Sequence, residues 1–439
     1  MKKYSKKILI FLLLLTIGLV YTYFIRALTD DELFNYGYAI NILNNRIPYK
    51  DFNMIVPPLF HYILAFFLYF LGKKLIVYHL FINLLITSIV FLTYRKIGYK
   101  SILIYVALLF YPYNGYNTFS VFLLFLLLYI KERNQEKYSI LEPIIIILLA
   151  FTKQTLAFLI IPSLIGTRKK RKFFLIYLVG FLLFLSYLLY FNNLFEFIDY
   201  CILGMFDFSK KNNTIKNLLF PVELLIIGYL LYQYFKSKNI SILYILSFQI
   251  IVFPIVDYFH FVIGFCPVIY QIFLSKKKRT FSDFYLFLFI LSQLFTIHFV
   301  LLSNIDYSSF SHYAKNNFMK NRLVSNATYQ YLKIAKNEIK NAKANEKIFI
   351  LGLSSYVAKL NLNLPINEFD NINNGNLGYQ GEKKYLKRIE NICKENKCIF
   401  MINDSELTRD IQVNKNILRD IQTNYKKTYS SNIISIYKN

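Results

Sequence analysis

The residues able to do chemistry crowd into one short polar stretch: Leu28-Thr29-Asp30-Asp31-Glu32, then Tyr36, then Ile47-Pro48-Tyr49-Lys50-Asp51-Phe52, then Val56-Pro57-Pro58-Leu59-Phe60-His61-Tyr62. It follows an apolar run over 8–25, so an acidic cluster stands just outside a membrane helix, where a carboxylate is costly unless it has a task. Thr29 with Glu32 three residues on reads as a capping box, and acids suit the positive end of a helix dipole. Leu33, Tyr36, Ile40 and Leu43 continue as the apolar face of an amphipathic helix. The structural and chemical readings are compatible, because a carboxylate fixed at a helix N-terminus is ionised and well placed to accept a proton.

The elements that must position these groups are membrane helices. Of 439 residues 56% are hydrophobic, in repeated apolar runs separated by short basic punctuation, which no single water-soluble core accommodates. The net charge of +26, from 51 basic and 25 acidic residues, falls between those runs as it does in cytoplasmic loops, so no nucleic-acid partner is expected. The basic start and long apolar stretch over 8–25 lack a small-residue cleavage site and read as an uncleaved first helix with its N-terminus in the cytoplasm. Further apolar segments run over 75–94, 101–113, 119–130, 140–151, 156–165, 173–190, 218–235, 240–255, 261–274 and 281–302.

Orientation follows from the basic loops. Taking 55–72 as an interfacial helix places Arg95-Lys96, Lys131-Glu132-Arg133, 168–172, Lys236-Ser237-Lys238 and 276–279 inside, with only Lys73-Lys74 outside. The expectation is an all-α polytopic membrane protein of about eleven transmembrane helices over 1–303, with a first external loop over 26–54. External positions then fall to 30–52, 113–118, 152–155, 192–217 and 257–260, all on one side. Residues 304–439 change composition abruptly and read as a small extracytoplasmic α/β domain, with helices over 332–344 and 405–425, strands over 347–351, 398–402 and 433–437, and a loop over 371–376.

Asp31-Glu32, the aromatic Tyr36 four residues on, Pro48-Tyr49-Lys50-Asp51-Phe52, Pro57-Pro58-Leu59-Phe60-His61-Tyr62 and Gly72 together resemble the first-loop pattern of GT-C membrane glycosyltransferases. The bacterial group similar to protein O-mannosyltransferases and aminoarabinose transferases (family 39/83-like) matches best. Thr152-Lys153-Gln154-Thr155 and Pro254-Ile255-Val256-Asp257-Tyr258-Phe259-His260-Phe261 look like two later external motifs of such proteins. The resemblance covers the first ~75 residues well and the rest of the membrane half loosely.

The resemblance implies a cell-envelope transferase that takes a sugar from a polyprenyl-phosphate donor and passes it to an extracytoplasmic acceptor hydroxyl. In it Asp31 would be the general base of an inverting single displacement, with Asp30 as the alternative base. Glu32 would support it, contact the donor sugar or cap the helix. The departing phosphate needs cations and hydrogen-bond donors, for which Lys153, Gln154 and His260 are candidates, with Arg26 and Lys50 beside them. Asp257, Tyr36 and Tyr49 complete the candidate substrate-binding set. No cofactor is implied, and a divalent ion bridging an acid and the phosphate stays open.

Each candidate also has a structural reading. Lys153 reads equally as a snorkelling helix-end lysine, His260 beside Asp257 as an interfacial packing residue, and Asp199 and Asp207 as solvated loop acids. Tyr36, Tyr49, Tyr113 and Tyr116 fit an interfacial aromatic belt. Five histidines, none paired at metal spacing, argue against zinc. Cys393 and Cys398 are spaced for either a disulfide or two separate thiols. Two rival functions share the many spans and basic inner face: a lipid or polyanion transporter or flippase, and a noncatalytic assembly protein. Against the transporter stand the concentration of acids in one loop and the absence of an internal repeat.

Overall fold

The computed structural model describes residues 2–26, 29–111, 115–133, 140–206, 219–253, 258–275, 312–313, 319–320, 322–324, 326–343, 345–351, 359–360, 372, 376–402, 414–432 and 434–439. The apolar segment over 281–302 therefore lies outside the described residues.

The described chain is mostly helical with a small C-terminal sheet. α1 (Lys2–Val20) runs on into a π-turn (Tyr21–Ile25), and α2 (Asp30–Leu43) and α3 (Leu59–Leu71) form the first loop and its exit. α4 (Leu75–Ile97), α5 (Ser101–Phe110) and α6 (Tyr116–Arg133) follow, then α7 (Leu141–Ala150), α8 (Ile160–Gly166) and α9 (Lys170–Tyr190). Among the described residues three apolar stretches are long enough to cross a membrane: Lys6–Ile25, Leu75–Phe110 and Lys170–Tyr190. The second is divided at Gly98, whose φ of +60° suits a residue without Cβ, so that α5 turns back and packs on α4.

Ile8, Leu9 and Leu13 on α1, and Phe174, Phe181 and Leu183 on α9, lie open on the outside. Surface of this extent and apolarity is covered by hydrocarbon, and the chain is a membrane protein. Five further apolar helices are shorter than a full span among the described residues: Leu59–Leu71, Leu141–Ala150, Gln154–Gly166, Ile240–Val252 and Phe259–Leu274. One core joins them, in which Phe60, Tyr78, Phe125, Tyr244 and Phe248 are fully enclosed.

A buried polar knot ties α6, α7, α8, α9 and the helix Ile240–Phe248. Glu142 accepts from Lys131 Nζ at 2.9 Å, from Ser163 Oγ at 3.1 Å and from the Tyr244 hydroxyl, while Tyr177 donates to Ser163 at 2.6 Å. Enclosing a carboxylate is tolerable here because its lone pairs are filled.

The C-terminal sheet has strand order β3-β4-β6-β5, from β3 (Glu346–Leu351), β4 (Lys397–Ile402), β5 (Lys426–Ser430) and β6 (Ser435–Lys438). A two-stranded pair, β1 (His312–Tyr313) and β2 (Leu323–Val324), precedes it. β3 and β4 are parallel, with Glu346 opposite Lys397 through Leu351 opposite Ile402. Parallel neighbours need a crossover, which contains the helix Gly381–Glu395. Cys398, Phe400 and Ile402 of β4 face Tyr385, Ile389, Ile417 and Ile421, while Ile399 and Met401 face Tyr331 and Ala335. The period of two thus serves cores on both faces.

Several sequence expectations change in detail. The helix Gly381–Glu395 went unread because its lysines mask the apolar stripe, and strand β5 because all its residues are exposed and give no apolar signal. The helix expected over 405–425 is observed as Lys415–Asn424, with 403–413 outside the described residues. The stretch over 192–217, read as a loop, begins helically with Leu194–Phe197 and a π-turn Ile198–Leu203, because Cys201 is buried against the first loop. Asp199, read as a solvated acid, pairs with Lys384 at 2.8 Å. Cys393 and Cys398 form a disulfide between the end of the crossover helix and β4.

Candidate functional site

The start of α2 is built as a cap. Glu32 is three residues into the helix, and its Oε2 accepts the Thr29 N–H at 3.3 Å in a capping box. Its other oxygen is bound by Arg26 Nη2 in an ion pair with both side chains buried. Arg26 also donates through Nη1 to the Tyr111 carbonyl at 2.6 Å. Burial pushes the Arg26 guanidinium down to about 10, which leaves it cationic at neutral pH. Glu32 is therefore occupied on both oxygens. Asp31, one residue earlier, is half-buried, and its carboxylate lies within electrostatic reach of Tyr78, as does Arg26. Asp30 opens the helix.

A second chain of bonds links α2 to α3. Asn35 Nδ2 donates to the Asp31 carbonyl at 2.6 Å, and His61 Nε2 donates to Asn35 Oδ1 at 2.9 Å. Two residues before His61, the Leu59 N–H donates to the Phe151 carbonyl at 3.3 Å. Gly115 closes over this chain, and a Cβ there would stand 2.3 Å from Asn35 Nδ2. Gly115→Ala is expected to expel the Asn35 amide, leave buried polar groups unsatisfied and cost about 1–3 kcal/mol. Thermal unfolding in detergent measures this. Asn35→Ala in the same chain should make the losses strongly sub-additive, and plain additivity would refute the steric account.

The Pro48-Tyr49-Lys50-Asp51-Phe52 element is a tight turn. Asp51 Oδ2 accepts the Ile47 N–H at 2.6 Å, the Tyr49 N–H donates to the Phe52 carbonyl at 2.9 Å, and Tyr49 takes a φ of +68°. Asn193 Nδ2 holds the Pro48 carbonyl at 2.9 Å. Tyr49 donates its hydroxyl to the Val56 carbonyl at 2.7 Å, and Tyr36 donates to the Lys73 carbonyl at 2.9 Å. Burial raises both hydroxyls above the usual tyrosine value, so both remain protonated donors. Lys50 is exposed.

The 152–155 turn meets the far end of the first loop. Gln154 Nε2 donates to the Ile55 carbonyl at 3.2 Å and to the Cys201 carbonyl at 2.6 Å. Lys153 is buried and donates to the Ile251 carbonyl at 3.0 Å. The structure thus gathers the first loop, this turn and the Asn193–Cys201 segment. His260 is half-buried in the first turn of the helix Tyr258–Ser275, and Asp257 lies outside the described residues. Among the described residues no group of three or more His, Cys, Asp or Glu is arranged to hold a metal ion.

Enclosed polar residues around the first loop that escaped the sequence reading include Asn35, His79 and Arg322. His79 packs edge-on against Tyr23 and Tyr78 beside the Arg26 cluster. Arg322 arrives from the C-terminal region and donates to the Tyr23 carbonyl at 2.7 Å and the Arg26 carbonyl at 2.8 Å. Burial pushes its guanidinium down to about 10 as well. The one sequence signal was an arginine where lysine dominates, and its partners lie about 300 residues away.

No family model matches the sequence, and no curated protein matches it. Among solved structures the chain is similar to the crystal structure of the Archaeoglobus fulgidus oligosaccharyltransferase in the apo form, with a TM-score of 0.44 and 11% identity over 90% of this chain and 69% of that one. The same enzyme in complex with Zn and sulfate matches with a TM-score of 0.42 and 11% identity, over 89% and 67% of the two chains.

Proposed function

We propose that this chain is an integral-membrane glycosyltransferase that moves a sugar from a polyprenyl-phosphate donor to an extracytoplasmic acceptor hydroxyl. The observation that carries the reading is the division of labour between two adjacent acids. Glu32 is buried and spent on Arg26 and Thr29, whereas Asp31 stands half-buried at the same helix start. Two neighbouring carboxylates in such different settings suit different tasks. Asp31 takes the proton of the acceptor hydroxyl, the acceptor oxygen bonds to the anomeric carbon, and polyprenyl phosphate leaves from the opposite face with the bonding electron pair.

Lys153 and Gln154 are the donors we assign to the leaving phosphate, since their turn adjoins the first loop at Ile55. Asp30, His260, Asp257, Tyr36, Tyr49 and Lys50 keep supporting places in the proposed substrate site. The proposed topology has about eleven spans over 1–303, an inward N-terminus and an outward domain over 304–439. The disulfide supports that side for the C-terminal sheet, since disulfides persist in oxidising compartments.

The test is donor consumption by membranes containing the chain, comparing labelled sugars on polyprenyl phosphate with the same sugars on nucleotides. Label should leave the prenyl phosphate alone, passing to an added acceptor or to water. No consumption across the donor panel, or passage of intact lipid across the bilayer, would replace this reading with the transporter.

A further inference from the structure

The first membrane helix ends with a cap that its own sequence lacks. A helix leaves its last carbonyls without intrahelical partners, and cations favour that end. The π-turn Tyr21–Ile25 has no basic residue in its last turn, and its residues Thr22 and Tyr23 are buried. Arg322 supplies the cap from the other end of the chain. Its side chain is buried, Nη1 reaches the Tyr23 carbonyl at 2.7 Å and the Thr22 carbonyl at 3.4 Å, and Nη2 reaches the Arg26 carbonyl at 2.8 Å. Its guanidinium lies 5.5 Å from the centre of the Tyr23 ring, and the Tyr23 hydroxyl donates back to the Lys320 carbonyl. The planar fork that spans three carbonyls is a property of arginine rather than lysine.

We propose that Arg322 is a positioning residue for the first-loop carboxylates. It fixes the main chain of Arg26, whose guanidinium in turn holds Glu32, and Glu32 holds the start of the helix that carries Asp31. The C-terminal region holds the other end of the loop too. Asn53 Nδ2 donates to the Asn376 carbonyl at 2.7 Å. Gly378, with a φ of +79°, lies where a Cβ would approach Asp199 Oδ2 to 2.5 Å, beside the Lys384–Asp199 ion pair. The first loop is thus clamped between the membrane helices and the C-terminal domain, which makes that domain part of the site's geometry.

The enzymatic half of this proposal rests on the glycosyltransferase reading, so the experiment has one readout that does not. Hydrogen exchange is measured on the full chain in nanodiscs, for wild type, Arg322→Gln and Arg322→Lys. In Arg322→Gln the amides over 26–33 should exchange about tenfold faster or more, while those of β4 stay unchanged. Arg322→Lys, which keeps the charge without the fork, should fall between and serves if the glutamine variant does not fold. Donor kcat should drop about tenfold or more with KM nearly constant, as for a group set up for the transition state alone. Unchanged exchange over 26–33 overturns the proposal, as does equal acceleration in β4 or altered exchange with unchanged kcat. Faster local exchange in a protein whose wild type consumes no donor upholds the clamp and removes the glycosyltransferase reading instead.

Discussion

Asp31→Asn should lower donor turnover by about 10²- to 10⁴-fold while leaving the protein folded. The substitution is nearly isosteric and keeps hydrogen-bonding capacity, but it removes the lone pair that accepts the acceptor's proton. Folding should be little affected, within about 0.5 kcal/mol, because the local architecture is held by the groups around Asp31. Thr29 and Glu32 cap the helix, and Asn35 donates to the backbone carbonyl of Asp31, a bond that the substitution keeps. The measurement is sugar transfer from polyprenyl phosphate at matched expression, with a melting curve alongside. Equal turnover in mutant and wild type would reduce Asp31 to a helix-end charge and turn attention to Asp30. A large loss with an unchanged melting curve would separate chemistry from structure at this position.

Breaking the Arg26–Glu32 pair from one side should act in the opposite way, on stability first. Both side chains are buried, and a charge left without its partner in such a place costs about 3–5 kcal/mol. Arg26→Met leaves Glu32 with the Thr29 N–H as its remaining hydrogen-bond donor among the described residues. Glu32→Leu leaves Arg26 with the Tyr111 carbonyl, and Arg26 Nε already has no partner among the described residues. The double substitution Arg26→Met with Glu32→Leu removes both charges and should recover most of the loss, a coupling that a cycle of four melting curves reads directly. Turnover should not recover with it, because the Arg26 charge that acts on Tyr78 together with Asp31 is then gone. Single variants as stable as wild type would show that water reaches the pair, against the burial described above. Recovery of activity in the double variant would show that the pair serves folding alone.

The two acids illustrate how far the sequence carried. Their spacing from Thr29 was enough to predict a cap at the start of an amphipathic helix, and the helix begins there. Local rules suffice because a cap involves residues three positions apart. Which acid turns inward was not legible, since it depends on Arg26 and on the Tyr111 carbonyl 85 residues away from it. Likewise Lys153 and Gln154 stood out by type, but their attachment to the Ile251, Ile55 and Cys201 carbonyls spans about 47 to 99 residues.

In the C-terminal part the apolar runs at β3 and β4 announced themselves, because continuous hydrophobic strands are a signal within a window of six residues. Their parallel pairing requires a crossover, and the crossover helix Gly381–Glu395 hides its apolar stripe among lysines. By itself, then, the sequence determined the membrane character of the chain, the capped start of α2 and the strands richest in apolar residues, all consequences of hydropathy and short-range spacing. Only the tertiary structure decided that Glu32 is paired and Asp31 is not enclosed, that Gly115 must lack a side chain, and that Arg322 caps a helix some 300 residues upstream. Those features depend on burial and on hydrogen bonds between groups far apart in the chain, which no local pattern of residue types encodes.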